Sequence, residues 1–297
     1  MSDYLESLEI IDAQIHEPSP SDPLIDGMKD QLIAWQVELA REAIDAVGVD
    51  IALAVTSEDF YNFAHSRFPG RFPGVHTFRH THPNLASEVR RVKANPAVIA
   101  GRALIGDYNT AKIRPEFTQG VFEPVYATAE EVGLPIFNST HGGCKHIGPI
   151  AKRYPALTLI VDHIGVPQHP VSPLEAMSWN AFEDLLELAE HPNVYVKLCG
   201  APLLSDNHYP YEDVWFYLNR MFSAFGYERI MWGSDYTRLR RADLPKDHQP
   251  RRRGITYRDN VGYLLHTDML SFEQKKLVLG GNAKRLFKLP TPSTGCA

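Results

Sequence analysis

The sequence lacks the features that would tie it to nucleic acid, to a membrane or to an oxidising compartment. Its 297 residues include only three cysteines, Cys144, Cys199 and Cys296. They are widely spaced with no C-x-x-C pair, and an odd number without a framework reads as reduced thiols. Basic charge is not in excess: 30 Lys and Arg stand against 36 Asp and Glu, a net charge of −6. That balance argues against a general nucleic-acid binder and against adhesion to anionic membranes, so a small organic molecule becomes the default partner. No apolar stretch approaches the roughly 20 residues of a membrane span. Met1 to Glu9 is acidic where a signal peptide starts basic, and a cytoplasmic location is the expectation. The 22 prolines are scattered rather than gathered into a tract. No linker interrupts the chain, and one domain over residues 1–297 is expected.

What is present is a recurring apolar, β-branched run. Eight occur: Glu9 to Ile15, Val49 to Val55, Gly74 to Phe78, Val98 to Leu104, Leu134 to Asn138, Leu157 to His163, Asn193 to Cys199 and Arg229 to Asp235. Near-continuous apolar runs such as Ile51 to Val55 suit strands buried on both faces. Helical patterns lie between them. Leu32, Trp35, Leu39, Ala43 and Val47 step by three and four toward Gly48, and Val121, Val125, Ala129 and Val132 stop at Gly133. Asn180 with Glu183, and Ser271 with Gln274, have capping-box spacing. Strands alternating with helices predict an α/β fold, a (β/α)8 TIM barrel. The rival is an open doubly wound sheet, which commonly carries a Gly-rich first turn. Here that turn reads His16-Glu17-Pro18-Ser19-Pro20, and the barrel is preferred.

In such a barrel the chemistry sits at the C-terminal ends of the strands. The first run ends Asp12-Ala13-Gln14-Ile15-His16, and alternation would place Asp12, Gln14 and His16 on one face. The fifth run leads through Asn138 to His141, the sixth ends Val161-Asp162-His163 before Gly165, and the eighth ends Trp232-Gly233-Ser234-Asp235. Any one of these residues alone reads as a cap or a packing residue. Together, three histidines and an aspartate at one mouth suit either a divalent metal with an open position or an acid/base pair that activates water.

Those motifs resemble the amidohydrolase superfamily, in its amidohydrolase-related (amidohydrolase 2) branch of metal-dependent hydrolases, which includes lactonases such as 2-pyrone-4,6-dicarboxylate lactonase. Asp12 to His16 is similar to an Asp-x-His-x-His motif, Val161 to Gly165 to Val-Asp-His-x-Gly, and 232 to 235 to Trp-Gly-Ser-Asp; Gly280-Gly281-Asn282-Ala283 also fits. The resemblance implies hydrolysis, with Asp235 as the base that takes a proton from water and His16, His163 and His141 beside it. It implies a metal site at His16, His163 and Asp235, for Zn²⁺ or Mn²⁺. Gln14 replaces the first histidine of the pair, and a neutral amide is a poor Zn²⁺ ligand. Operation with and without a metal both stay open.

Cations add a clue to the substrate. Arg79 follows the third run, Arg102 lies inside the fourth, Lys197 lies inside the seventh, and Arg238 follows Asp235. A buried guanidinium or ammonium needs an anion, either an internal acid or a substrate carboxylate held by paired hydrogen bonds. The expected activity is opening of a carboxylate-bearing lactone or cyclic ester. The alternatives are metal-dependent decarboxylation of an aromatic acid and a non-catalytic anion-binding barrel. A homo-oligomer is left open. Tyr236 to Met269 reads as a long basic loop over the site, and Phe60, Tyr61, Phe63 and His65 read either as a pocket wall or as core.

Overall fold

The computed structural model describes residues 8–18, 28–107, 110–167, 179–237 and 255–290. Among them eight strands pair in chain order as one parallel sheet: β1 (Ile11–Ile15), β2 (Ile51–Ala54), β3 (Gly74–Phe78), β4 (Val98–Leu104), β5 (Ile136–Ser139), β6 (Leu159–Val161), β7 (Val194–Cys199) and β8 (Ile230–Gly233). The sheet rolls back on itself. Asp235 N–H donates to the Gln14 carbonyl at 2.9 Å, joining the end of β8 to β1 and making the expected barrel.

Helices cover the outside: α1 (Lys29–Asp45), α2 (Glu58–Arg67), α3 (Leu85–Ala94), α4 (Glu123–Val132), α5 (Ile147–Arg153), α6 (Phe182–Glu187), α7 (Trp215–Phe225) and α8 (Tyr257–Leu265). Gly133 ends α4 in the left-handed conformation foreseen for it, and Ser271 and Gln274 form their capping box on α9 (Phe272–Lys276). Three expectations change. The face that α1 buries is Ile33, Val37, Ala40 and Ile44, one position round from the predicted stripe, and Trp35 is 52% exposed. Asn180 is not the N-cap of α6, whose N-cap residue is Ala181, with no side-chain cap hydrogen bond. Within the presumed loop from Tyr236 to Met269 stands α8, opened by a capping box of Thr256 and Asp259. Phe60 and Tyr61 are fully buried on α2, which makes them core.

Inside the barrel, side chains stack in layers. Ile11, Ala13, Leu53, Val75, Ala100, Phe137, Ile160 and Met231 fill the lower part. Phe287, the last residue of α10 (Asn282–Phe287), stacks on Phe137 with ring centroids 5.8 Å apart. Above this apolar floor lies a charged layer of Arg102, Asp162 and Lys197, and above that lies the mouth. No described helix is long and apolar enough to cross a membrane.

Candidate active site

The charged layer settles what two of the sequence-marked cations do. Arg102 Nε donates to Asp162 Oδ2 at 2.7 Å, and Lys197 Nζ lies 2.7 Å from Asp162 Oδ1. Arg102 is 3% exposed and Lys197 fully buried. Burial opposes ionisation of Asp162, but Lys197 and Arg102 outweigh it and hold its carboxyl well below the usual range. Of the two partners the sequence left open for a buried cation, both Arg102 and Lys197 meet the internal acid, since a charge at this depth needs a partner at all times. Arg79 stands exposed one residue beyond β3, and Arg238 lies outside the described residues.

Asp12 also differs from expectation. The pairing of β1 with β2 shifts register between Asp12 and Ile15, and such a bulge re-aims side chains. Asp12 turns to accept Ser234 N–H at 2.8 Å, the Ser234 hydroxyl, the Tyr257 hydroxyl at 2.7 Å and Gln14 N–H at 2.9 Å. Burial raises its carboxyl to about 6 against these hydrogen bonds. Gln14 instead joins His16 in the mouth.

Three strand ends turn sharply to aim their side chains inward. His141, His163 and Asp235 have φ of 45°, 54° and 53°, a region non-glycine residues rarely occupy, and strain of this kind clusters at functional sites. Gly165 makes the β6 turn possible: at φ 71° a Cβ there would lie 2.1 Å from Cys144 Sγ. The resulting geometry brings His16 Nε2 to 3.2 Å from Asp235 Oδ1 and His163 Nε2 to 3.3 Å from Asp235 Oδ2. His141 lies beside them, its ring 6.1 Å from that of His163 and its Nε2 2.9 Å from Ser139 Oγ. Burial, then the neighbouring His163 and Arg102, hold His141 neutral, well below the usual imidazole value. Burial also works against Asp235, but His16 and His163 prevail and keep it ionised.

Gln14 completes the ring. Lys197 donates to its Oε1, which leaves the amide nitrogen 3.2 Å from both His16 Nε2 and His163 Nε2. An imidazole nitrogen can accept from that amide or donate to Asp235, not both at once. Where each Nε2 accepts from Gln14, the two imidazole nitrogens and the Asp235 carboxylate oxygens face one another as a cluster of donor atoms. A divalent cation neutralises such a set of donor atoms, so the residues fit a metal, with Gln14 marking one position where an imidazole is missing. Sequence reasoning missed Cys199. Its thiol, His163 and Asp235 each offer a donor atom, all within 4.8 Å of one another.

The eight-stranded barrel with its polar site at the C-terminal ends of the strands defines a class of enzyme-like (β/α)8 proteins. Within that class, residues 11–289 match the family described as Amidohydrolase, and the chain belongs to that family. It is similar to an L-fucono-1,5-lactonase of Burkholderia ambifaria, 28% identical over 148 residues that make up 48% of this chain and 46% of that protein. It is also similar to a 4-sulfomuconolactone hydrolase of Hydrogenophaga intermedia, 30% identical over 149 residues, 50% of this chain and 45% of that one. The matches thus span about half the length of these relatives. Among solved structures, an amidohydrolase from Burkholderia multivorans with bound zinc superposes with a TM-score of 0.69, covering 95% of this chain and 100% of that one at 19% identity. That likeness shows the fold.

Proposed function

We propose that this chain hydrolyses a lactone that carries an acidic group. The observation that carries the reading is Asp235, ionised and half-buried between two imidazole nitrogens at the barrel mouth. The family and the two lactone-hydrolysing relatives support it.

In this mechanism Asp235 accepts a proton from water as the water oxygen bonds to the ring carbonyl carbon. The carbonyl oxygen takes up negative charge. It then collapses back, the ring C–O bond breaks, and the proton held by Asp235 passes to the leaving oxygen to give a hydroxy acid. His16 and His163 flank Asp235 and fix its two oxygens, and His141, neutral and held by Ser139, packs against His163. Below them two cations share one carboxylate, which leaves the charged layer net positive and favours negative charge above it. His16, His163 and Asp235 would hold a divalent metal, Zn²⁺ or Mn²⁺, and its chemistry would be Lewis-acid polarisation of the carbonyl. Arg79, and Arg238 beyond the described residues, are the proposed contacts for the substrate's acidic group.

A panel of five- and six-membered lactones, each as free acid and neutral ester, tests this by proton release on ring opening. Turnover with higher kcat/KM for the acids supports the reading. Ring opening of no lactone, with decarboxylation of an aromatic acid instead, replaces it.

A further inference from the structure

We infer that Cys199 supplies a sulfur ligand to the metal site, and that this sulfur biases the site toward Zn²⁺ over harder cations such as Mn²⁺. The inference rests on the proposed metal-assisted reading of the mouth and specifies the donor set of that same site.

Cys199 is the last residue of β7. Lys197, two positions earlier, lies in the barrel interior with its Nζ 4.6 Å from the centroid of the Phe137 ring. Side chains two apart on a strand share a face, so Cys199 stands on the inner face one layer above Lys197, at the level of the mouth. It is fully buried, and its Sγ lies within 4.8 Å of the donor atoms of His163 and Asp235. Around tetrahedral zinc the donor atoms sit about 3.3–3.8 Å from one another, as follows from the bond lengths. A small adjustment of side chains, with no change of strand, reaches that spacing.

The chemistry gives this sulfur a reason to be there. Gln14 occupies the place of an imidazole, and its oxygen is engaged by Lys197, so the amide turns its nitrogen, which cannot ligate, toward the site. The site loses a donor on β1. A thiolate on β7 restores the donor count and adds a negative charge, while the thiol proton leaves to solvent as the sulfur–metal bond forms. Thiolate ligands favour zinc, whereas an all-oxygen and imidazole site also accepts manganese.

The test uses the full chain stripped of metal and titrated with Co²⁺. The expected spectrum has visible ligand-field bands together with a near-ultraviolet sulfur-to-cobalt charge-transfer band. Cys199→Ser should keep the ligand-field bands and lose the charge-transfer band, while Cys144→Ser and Cys296→Ser should keep both. X-ray absorption of the Zn²⁺-loaded wild-type protein should show one sulfur at about 2.3 Å. That measurement decides the matter even if Cys199→Ser does not fold. Ligand-field bands without charge transfer, and no sulfur shell around zinc, would overturn the Cys199 assignment while the metal reading stands. No cobalt bound at all would overturn both, and the lactone panel would then report independently on hydrolysis.

Discussion

Asp235 is the proposed general base, and its neighbours say what removing its charge does. Asparagine keeps the shape and cannot take a proton. Asp235→Asn should lower kcat by about two to four orders of magnitude, the usual scale for a general base. KM should stay within a small factor and the circular-dichroism melt should survive. Arg102 shows the opposite behaviour. In Arg102→Met, Asp162 keeps only Lys197, and urea unfolding should show a loss of about 3 kcal/mol, the lower end for a broken buried pair because one partner remains. The ratio of kcat/KM between acidic and neutral lactones should not change. A shift in that ratio would return Arg102 to the substrate. Asp235, His16 and His163 were legible in the sequence because they end apolar runs, where a barrel puts its chemistry. The partner of Arg102 was not, since Asp162 lies 60 residues away and nothing local links them. Cys199 was illegible for a similar reason: a single cysteine has no spacing to read.

The elements were legible where one residue type decides the local structure. Gly133 and the Ser271–Gln274 capping box act within a few residues of chain, and both stand as read. The buried face of α1 was not decided locally, because Leu32, Trp35 and Leu39 form one apolar row and Ile33, Val37 and Ile44 another. Which row is buried depends on where the sheet lies. The bulge in β1 likewise follows from what surrounds Asp12, and strict alternation could not foresee it. Packing of helices on β3 makes a further prediction. His76 of β3 bonds the Tyr61 hydroxyl of α2 at 2.9 Å and lies 3.2 Å from Glu88 of α3, with Glu58 and Arg91 close by. Burial lowers its value below 6.5, with Glu88 and Glu58 opposing. As pH falls below 6.5 the unfolded chain therefore binds this proton first. Stability should be full above that pH and decline as pH falls through the folded value. Glu58 and Glu88 titrate below 4.5, outside this window. In melts between pH 7.5 and 5, His76→Gln should show a shallower decline than wild type. Parallel curves would mean His76 takes its proton freely.

At the scale of the whole molecule, the barrel was legible because eight apolar runs alternate with helices over a length that suits it. A cation that bound only the folded mouth would link site and fold. Zn²⁺ at about 100 times its dissociation constant should stabilise the chain by about 2.7 kcal/mol, and chelation should lower the melting temperature accordingly. An unchanged melt would mean that the folded and unfolded chains bind zinc equally or not at all. The seam has another consequence. Asp12 and Ser234, which pin β8 to β1, are 222 residues apart in the chain. During synthesis β1 emerges and waits for the 222 residues from Asp12 to Ser234 before its last neighbour exists. Until then its open edge is a template for other chains, and a fragment ending before Ile230 would expose β1 and β7 together. Such a fragment should be found in aggregates or held by chaperones, and the ring of strands protects the protein only once the ribosome has finished β8.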